Sequence, residues 1–174
     1  KKISNENIDT LNINFTNLSQ EICPVISFLK LEVEKIPQTY SGCLKDYFSE
    51  LNLNKNNFFT DISNYLSYET GQPTHCYDAD KIEGELVFQE KSLDCEFETL
   101  LGKKIRLKDK NPVFLLNDEV INLAGVIGNM NTSCTKETTT VIVECAFFKP
   151  ESIREDAMMG DAPIPMKQLF GFQR

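Results

Sequence analysis

Two residues stand out as equipped for chemistry, a lone histidine and a glutamate in apolar company. His75 is the only histidine among 174 residues. It lies in Gly71-Gln72-Pro73-Thr74-His75-Cys76-Tyr77-Asp78-Ala79-Asp80-Lys81-Ile82. Gly71 can stop a helix by taking a positive φ, and Pro73 cannot continue one. Pro73 also pushes Gln72 towards extended backbone. The spacing therefore predicts His75 just beyond a sharp exit, on a connection able to line a cleft. Its ring reads either as a functional group there or as a structural histidine hydrogen-bonded near the surface. Glu144 sits inside Val141-Ile142-Val143-Glu144-Cys145-Ala146, where a charge is costly unless paired or protonated. A buried carboxyl of this kind can accept backbone N–H bonds where a strand ends. It can also floor a pocket that selects a ligand carrying an extra hydroxyl, because a ligand without one leaves the acceptor unpaired. The residues alone leave both readings open.

The hydrophobic pattern outlines the elements that must hold these two groups. Leu11, Ile13 and Phe15 alternate and predict a strand over 10–16, and residues 23–33 predict another. Leu44, Tyr47, Phe48 and Leu51 fall at helical spacing within 41–53, with Ser41 offering an N-cap. After an asparagine-rich turn, Phe58, Phe59, Ile62, Tyr65 and Leu66 form the apolar stripe of a second helix over 57–69. Asp61, Ser63 and Asn64 are its polar residues, and Asp61 reads as part of a solvated face. From Gly84 onward the texture is β. Leu86-Val87-Phe88 predicts a short strand, residues 100–107 two strands about a tight glycine turn, and Val113-Phe114-Leu115-Leu116 a buried strand. A polar turn at Asn117-Asp118-Glu119 leads to Leu123-Ala124-Gly125-Val126-Ile127-Gly128, whose small residues imply backbone packed closely against another strand or a ligand. Residues 138–148 form the strongest strand of the sequence, and Pro150 starts a short helix through about Met159. Helices and strands mix without regular βαβ alternation. That predicts an α+β fold with mixed or antiparallel sheets and a few flanking helices.

Composition narrows the function classes. The length fits one module over 1–174, or two small interleaved units sharing a core. A net charge of −8 argues against a general nucleic-acid surface, which needs clustered Lys and Arg, but leaves room for a site holding only the end of a nucleic acid. The six cysteines form no C-x-x-C pair and, with one histidine, complete no zinc finger. They read as reduced thiols, several filling the core, in a cytoplasmic protein. No apolar run approaches the ~18 residues of a membrane helix. The start at Lys1-Lys2, with no methionine, reads as that of a piece excised from something longer.

Four segments resemble, in type and order, the motifs of one known family. They are Asp61-Ile62-Ser63-Asn64-Tyr65, the Gly71–Ile82 stretch, Leu123-Ala124-Gly125-Val126-Ile127-Gly128, and Glu144-Cys145-Ala146-Phe147-Phe148-x-Pro150-x-x-Ile153-Arg154. Together they resemble the editing domain of the bacterial phenylalanyl-tRNA synthetase β subunit. The resemblance implies hydrolysis of tRNA(Phe) wrongly charged with tyrosine, by attack of a positioned water on the aminoacyl ester. It carries the tyrosine-hydroxyl acceptor onto Glu144 and a close-approach glycine onto Gly128. His75, Ser63 and Asn64 fall on positions lining the site for the terminal adenosine and the ester, with His75 the catalytic-site residue, positioning rather than nucleophilic. The implied partners are the 3′ end of tRNA(Phe) and the synthetase α subunit. ATP, magnesium and phenylalanine serve the larger ligase, and no cofactor is implied within this chain. Asn54, next to Lys55, stands where the family has an arginine, and the tail over 155–174 does not follow the family's closing segments. Ser63 replaces a threonine and keeps the hydroxyl. These departures frame two competing expectations. One is a degenerate structural or tRNA-docking module of the same fold without hydrolysis; the other is a stand-alone aminoacyl-binding relative.

Overall fold

The structure, a computed structural model, describes residues 11–149. Its elements are β1 (Asn14–Asn17), β2 (Val25–Glu32), α1 (Gly42–Glu50), α2 (Phe58–Thr70), β3 (His75–Asp78), β4 (Glu85–Glu98), β5 (Lys104–Leu116), β6 (Glu119–Leu123), β7 (Ile127–Gly128) and β8 (Thr140–Phe147). A five-stranded sheet runs in the order β1-β4-β5-β6-β7, and a three-stranded sheet in the order β2-β8-β3. Only the β1–β4 pairing is parallel among the paired strands. Mixed sheets with two helices make this the α+β fold that the pattern predicts.

The period-two alternation of strands sets the layers. On the small sheet Tyr77 and Ile142 point towards the large sheet. There they join Leu86, Phe88, Phe114, Ile121 and Ala124 in one buried core. The intervening residues Cys76, Val141 and Val143 point the other way and pack with Phe58 and Phe59 of α2. The order is thus helices, small sheet, large sheet, and β3 and β8 form the middle layer. A second core, of Phe97, Leu107, Val113, Leu115 and Leu123, lies on the far face of the large sheet.

Several details differ from the sequence-based expectations. The strand expected at 86–88 is the start of a 14-residue strand, β4. It continues because its later polar residues pair with β5 along a long ribbon, with Lys110–Glu90, Arg106–Asp94 and Lys104–Glu96 ion pairs on its exposed face. The glycine turn is real, but Leu100 and Leu101 belong to it rather than to a strand, and Gly102 takes φ 72°. The next turn is the two-residue pair Asn117 and Asp118, at φ 50° and 69°, so Glu119 already belongs to β6. Left-handed backbone at both central positions matches the twist of the flanking strands. Ser41 has the extended backbone of an N-cap but makes no side-chain cap bond, whereas Asn57 caps α2 by accepting from the Thr60 N–H. Gly71 closes that helix at φ 73°.

Asp61 is not on a solvated face. It is fully buried, accepting from the Tyr40 hydroxyl at 2.6 Å and the Asn56 N–H at 3.0 Å. It therefore ties the asparagine-rich turn and the preceding loop to the first turn of α2. All six thiols are free, with Cys23 and Cys134 buried. Burial pushes Cys23 up to about 11 and Cys134 up to about 12, so both stay protonated and act as core residues. Among the described residues no helix is long and apolar enough to cross a membrane. The helix expected from Pro150 and the tail over 155–174 lie outside the described residues.

Candidate functional site

β3 and β8 are antiparallel neighbours, and their register sets His75 directly opposite Glu144. Directly opposed residues share a face, so both point towards the large sheet, as does Tyr77 two residues on. The Tyr77 ring meets the His75 ring edge-on, with centroids 4.5 Å apart. From the large sheet, Asn122 on β6 and Gly128 on β7 close the same space.

Gly128 shows why that run needs small residues. A Cβ there would lie 2.5 Å from His75 Cε1 and 2.6 Å from Nε2. The imidazole fills the volume that a side chain would take. The close neighbour expected of this backbone is therefore the histidine itself.

Glu144 is 4% exposed. The Tyr77 hydroxyl donates to its Oε2 at 2.6 Å, and Asn122 Nδ2 donates to the Tyr77 oxygen at 2.8 Å and to the same Oε2 at 3.3 Å. Burial pushes the carboxyl up to about 7, with the two hydrogen bonds pulling the other way. Burial first, and then the Glu144 charge, hold the Tyr77 hydroxyl well above its ordinary value, so it remains a donor. Burial drives His75 down to about 4, leaving the ring neutral at pH 7. His75 as a whole residue is half-buried. Its Nε2, however, is sealed and is the one such side-chain nitrogen or oxygen among the described residues without a hydrogen-bond partner. A sealed polar atom left unpaired is costly.

Ser63 approaches from the helix layer. Ser63 Oγ donates to the Thr74 carbonyl at 2.7 Å and lies 2.8 Å from Thr74 Oγ1. It thus anchors the residue before His75 from the side of β3 opposite Glu144. Asn64 is next on the helix and is half-buried. The structure brings His75, Gly128 and Glu144 together and sets Ser63 behind them. The rest of the histidine stretch is scaffold. Gln72 Nε2 donates to the carbonyls of Pro73 and Ala146, fastening the exit loop to β8. Asp78 accepts from the Asp80 N–H and the Thr138 hydroxyl and pairs with Lys81 at 3.7 Å.

Two contributors escaped the sequence reading, Tyr77 and Asn122. Tyr77 shared the parity of His75 on a strand. Asn122 was a polar residue within apolar Val120-Ile121-Asn122-Leu123. No cluster of His, Cys, Asp and Glu able to hold a metal ion occurs among the described residues. What the arrangement can do is accept a hydrogen bond from a ligand hydroxyl at Glu144 and offer a neutral ring nitrogen beside it.

Comparison with known proteins gives a consistent picture. The family model described as B3/4 domain matches residues 27–160. The phenylalanine–tRNA ligase β subunit of Fusobacterium nucleatum is 38% identical over 112 residues, covering 64% of this chain and 14% of that protein. That of Bartonella quintana is 32% identical over 142 residues, covering 81% and 18%. That of Chlamydia pneumoniae is 30% identical across 100% of this chain and 22% of its own length. The chain thus spans under a quarter of the length of these relatives. Among solved structures, an N-terminal fragment of the phenylalanyl-tRNA synthetase β subunit from Pyrococcus horikoshii shares the fold. Its TM-score is 0.60 at 13% identity, over 87% of this chain and 48% of that one.

Proposed function

This chain belongs to the B3/4 domain family, and from that premise we propose that it is the editing module of a phenylalanine–tRNA ligase β subunit, hydrolysing tRNA(Phe) mischarged with tyrosine. The observation that carries the reading is Glu144, a carboxyl buried to 4% exposure on the strand opposite His75. Tyrosine and phenylalanine differ by one hydroxyl. A site that must remove the first and spare the second needs a buried acceptor that only the first can satisfy. Glu144 is such an acceptor, and the neutral ring of His75 stands beside it. In the proposed reaction a water oxygen adds to the ester carbonyl, the ester bond breaks, and the terminal ribose oxygen leaves with a proton. For His75 to hydrogen-bond the water or the ribose hydroxyl, its Nε2, sealed here, must be uncovered by the substrate; Ser63 anchors the residue before it through the Thr74 carbonyl. The ligase reaction itself, with ATP, magnesium and the α subunit, belongs in this proposal to the wider enzyme. The net charge of −8 fits a module that meets only the 3′ end of the tRNA.

The test is deacylation of Tyr-tRNA(Phe) by this chain within its β subunit, against a Glu144→Ala variant and with Phe-tRNA(Phe) as control. Tyrosine release that disappears in the variant, with phenylalanine spared throughout, is the expected result. Release by neither protein refutes the editing reading and leaves a module of the same fold without hydrolysis, whereas equal release by both refutes Glu144 as the tyrosine acceptor.

A further inference from the structure

We propose that Tyr77 and Asn122 are positioning residues for the hydroxyl selectivity of this site: they pin one oxygen of Glu144 so that the other faces the ligand. The proposal rests on the editing reading above and adds to it the residues that set its specificity.

Both donors converge on a single atom, Oε2, and the Asn122 amide also bonds the Tyr77 hydroxyl, closing a three-membered ring of hydrogen bonds. Among the described residues Oε1 accepts no bond. One carboxylate oxygen is therefore committed to Tyr77 and Asn122, and the other has no partner among the described residues. An acceptor fixed in this way can discriminate sharply. A rotating carboxyl could turn either oxygen to any passing donor, whereas this one presents a single oxygen. The chemistry recognised is a neutral hydroxyl at the end of an aromatic side chain. Such a group can donate to Oε1, which an aromatic side chain without a hydroxyl cannot do. The clamp also spans the molecule. Tyr77 comes from the small sheet and Asn122 from the large one, so the carboxylate's aim is set by how the two sheets pack.

The opposite role is conceivable on chemical grounds, because Tyr77 is itself a phenol bonded to Glu144. In that case it would compete with a substrate tyrosine, and its removal would sharpen selectivity. The two roles predict opposite signs. The experiment compares the Tyr-tRNA(Phe) to Phe-tRNA(Phe) ratio of kcat/KM in the wild-type β subunit, in Tyr77→Phe, and in both forms carrying Glu144→Gln as well. Dissociation constants for free L-tyrosine and L-phenylalanine are measured in parallel. Positioning predicts that Tyr77→Phe lowers the tyrosine preference about tenfold or more, the range for losing a hydrogen bond to a charged group. It also predicts no further change in the Glu144→Gln background. A general loss of packing would instead depress both substrates alike and persist in that background. An unchanged or increased preference overturns the proposal. If no protein deacylates either tRNA, the editing reading fails, and the free amino acids still decide the positioning claim. A wild-type preference for tyrosine that Tyr77→Phe abolishes supports it, and no such preference overturns it. Should Tyr77→Phe fail to fold, Asn122→Ala leaves the Tyr77–Glu144 bond in place and is expected to shift the same ratio in the same direction by a smaller factor.

Discussion

Replacing Gly128 by alanine tests the contact on which the site is built. The added Cβ would lie 2.5 Å from His75 Cε1 and 2.6 Å from Nε2. Comfortable carbon contacts begin near ~3.5 Å, so the ring or the strand must yield by about 1 Å. The ring has little freedom, because Tyr77 abuts it edge-on with centroids 4.5 Å apart. Nor is Gly128 among the glycines with left-handed backbone, so the substitution brings no dihedral strain and the collision is the whole effect. Overpacking of this kind costs about 1–3 kcal/mol. Urea unfolding of wild type, Gly128→Ala, His75→Ala and the double variant separates the collision from any other consequence. The alanine at 128 should cost about 1–3 kcal/mol alone and under about 0.5 kcal/mol once the imidazole is gone, a coupling well above additivity. Equal costs in the two backgrounds would mean that His75 does not occupy this space, and the geometry of the site would be wrong.

The remaining predictions concern buried charge and helix ends. Glu144, raised from 4.5 to about 7 by burial, contributes stability that is present below pH 4.5 and lost as pH rises through 7. His75, lowered from 6.5 to about 4, contributes stability that is present above pH 6.5 and lost as pH falls through 4. The two slopes oppose each other between about pH 4.5 and 6.5. In Glu144→Gln the falling limb disappears, so stability at pH 8 relative to pH 4 should rise by about 3 kcal/mol compared with wild type. Denaturant midpoints across that range check it, and an unaltered pH profile would refute the burial of the carboxyl. Asp61→Ala strands the Tyr40 hydroxyl and the Asn56 N–H and should cost about 1–3 kcal/mol in the same assay. A cost near zero would return Asp61 to a solvated face. Gly71→Ala meets nothing within 4 Å but must hold φ 73°, so it should cost about 1 kcal/mol from the backbone alone, read from the urea midpoint.

How far the sequence carried this result depends on which interactions are local. Helix α2 was legible because its stripe and its Gly71 stop are contiguous in the chain, and β8 because its apolar run is long. The length of β4 was not, because the residues after Phe88 look polar and become strand only through pairing with β5 residues 6 to 24 positions away. Asp61 misled for the same reason. Its polarity signalled solvent, and the partners that bury it, Tyr40 and Asn56, lie on a loop and a turn that no periodicity describes. At the site, the resemblance named His75, Gly128 and Glu144, and the apolar setting of Glu144 gave an independent physical reason to single it out. Neither could reveal that Tyr77 and Asn122 meet on one oxygen, since that requires knowing that β3 and β6 face each other across the core. The same fact bears on mechanism. Because the donors to Glu144 come from different sheets, its orientation depends on the inter-sheet core of Leu86, Phe88, Phe114 and Ile121 rather than on a local turn. If Glu144 selects a hydroxyl as proposed, loosening that core should blur this selectivity before it unfolds the chain.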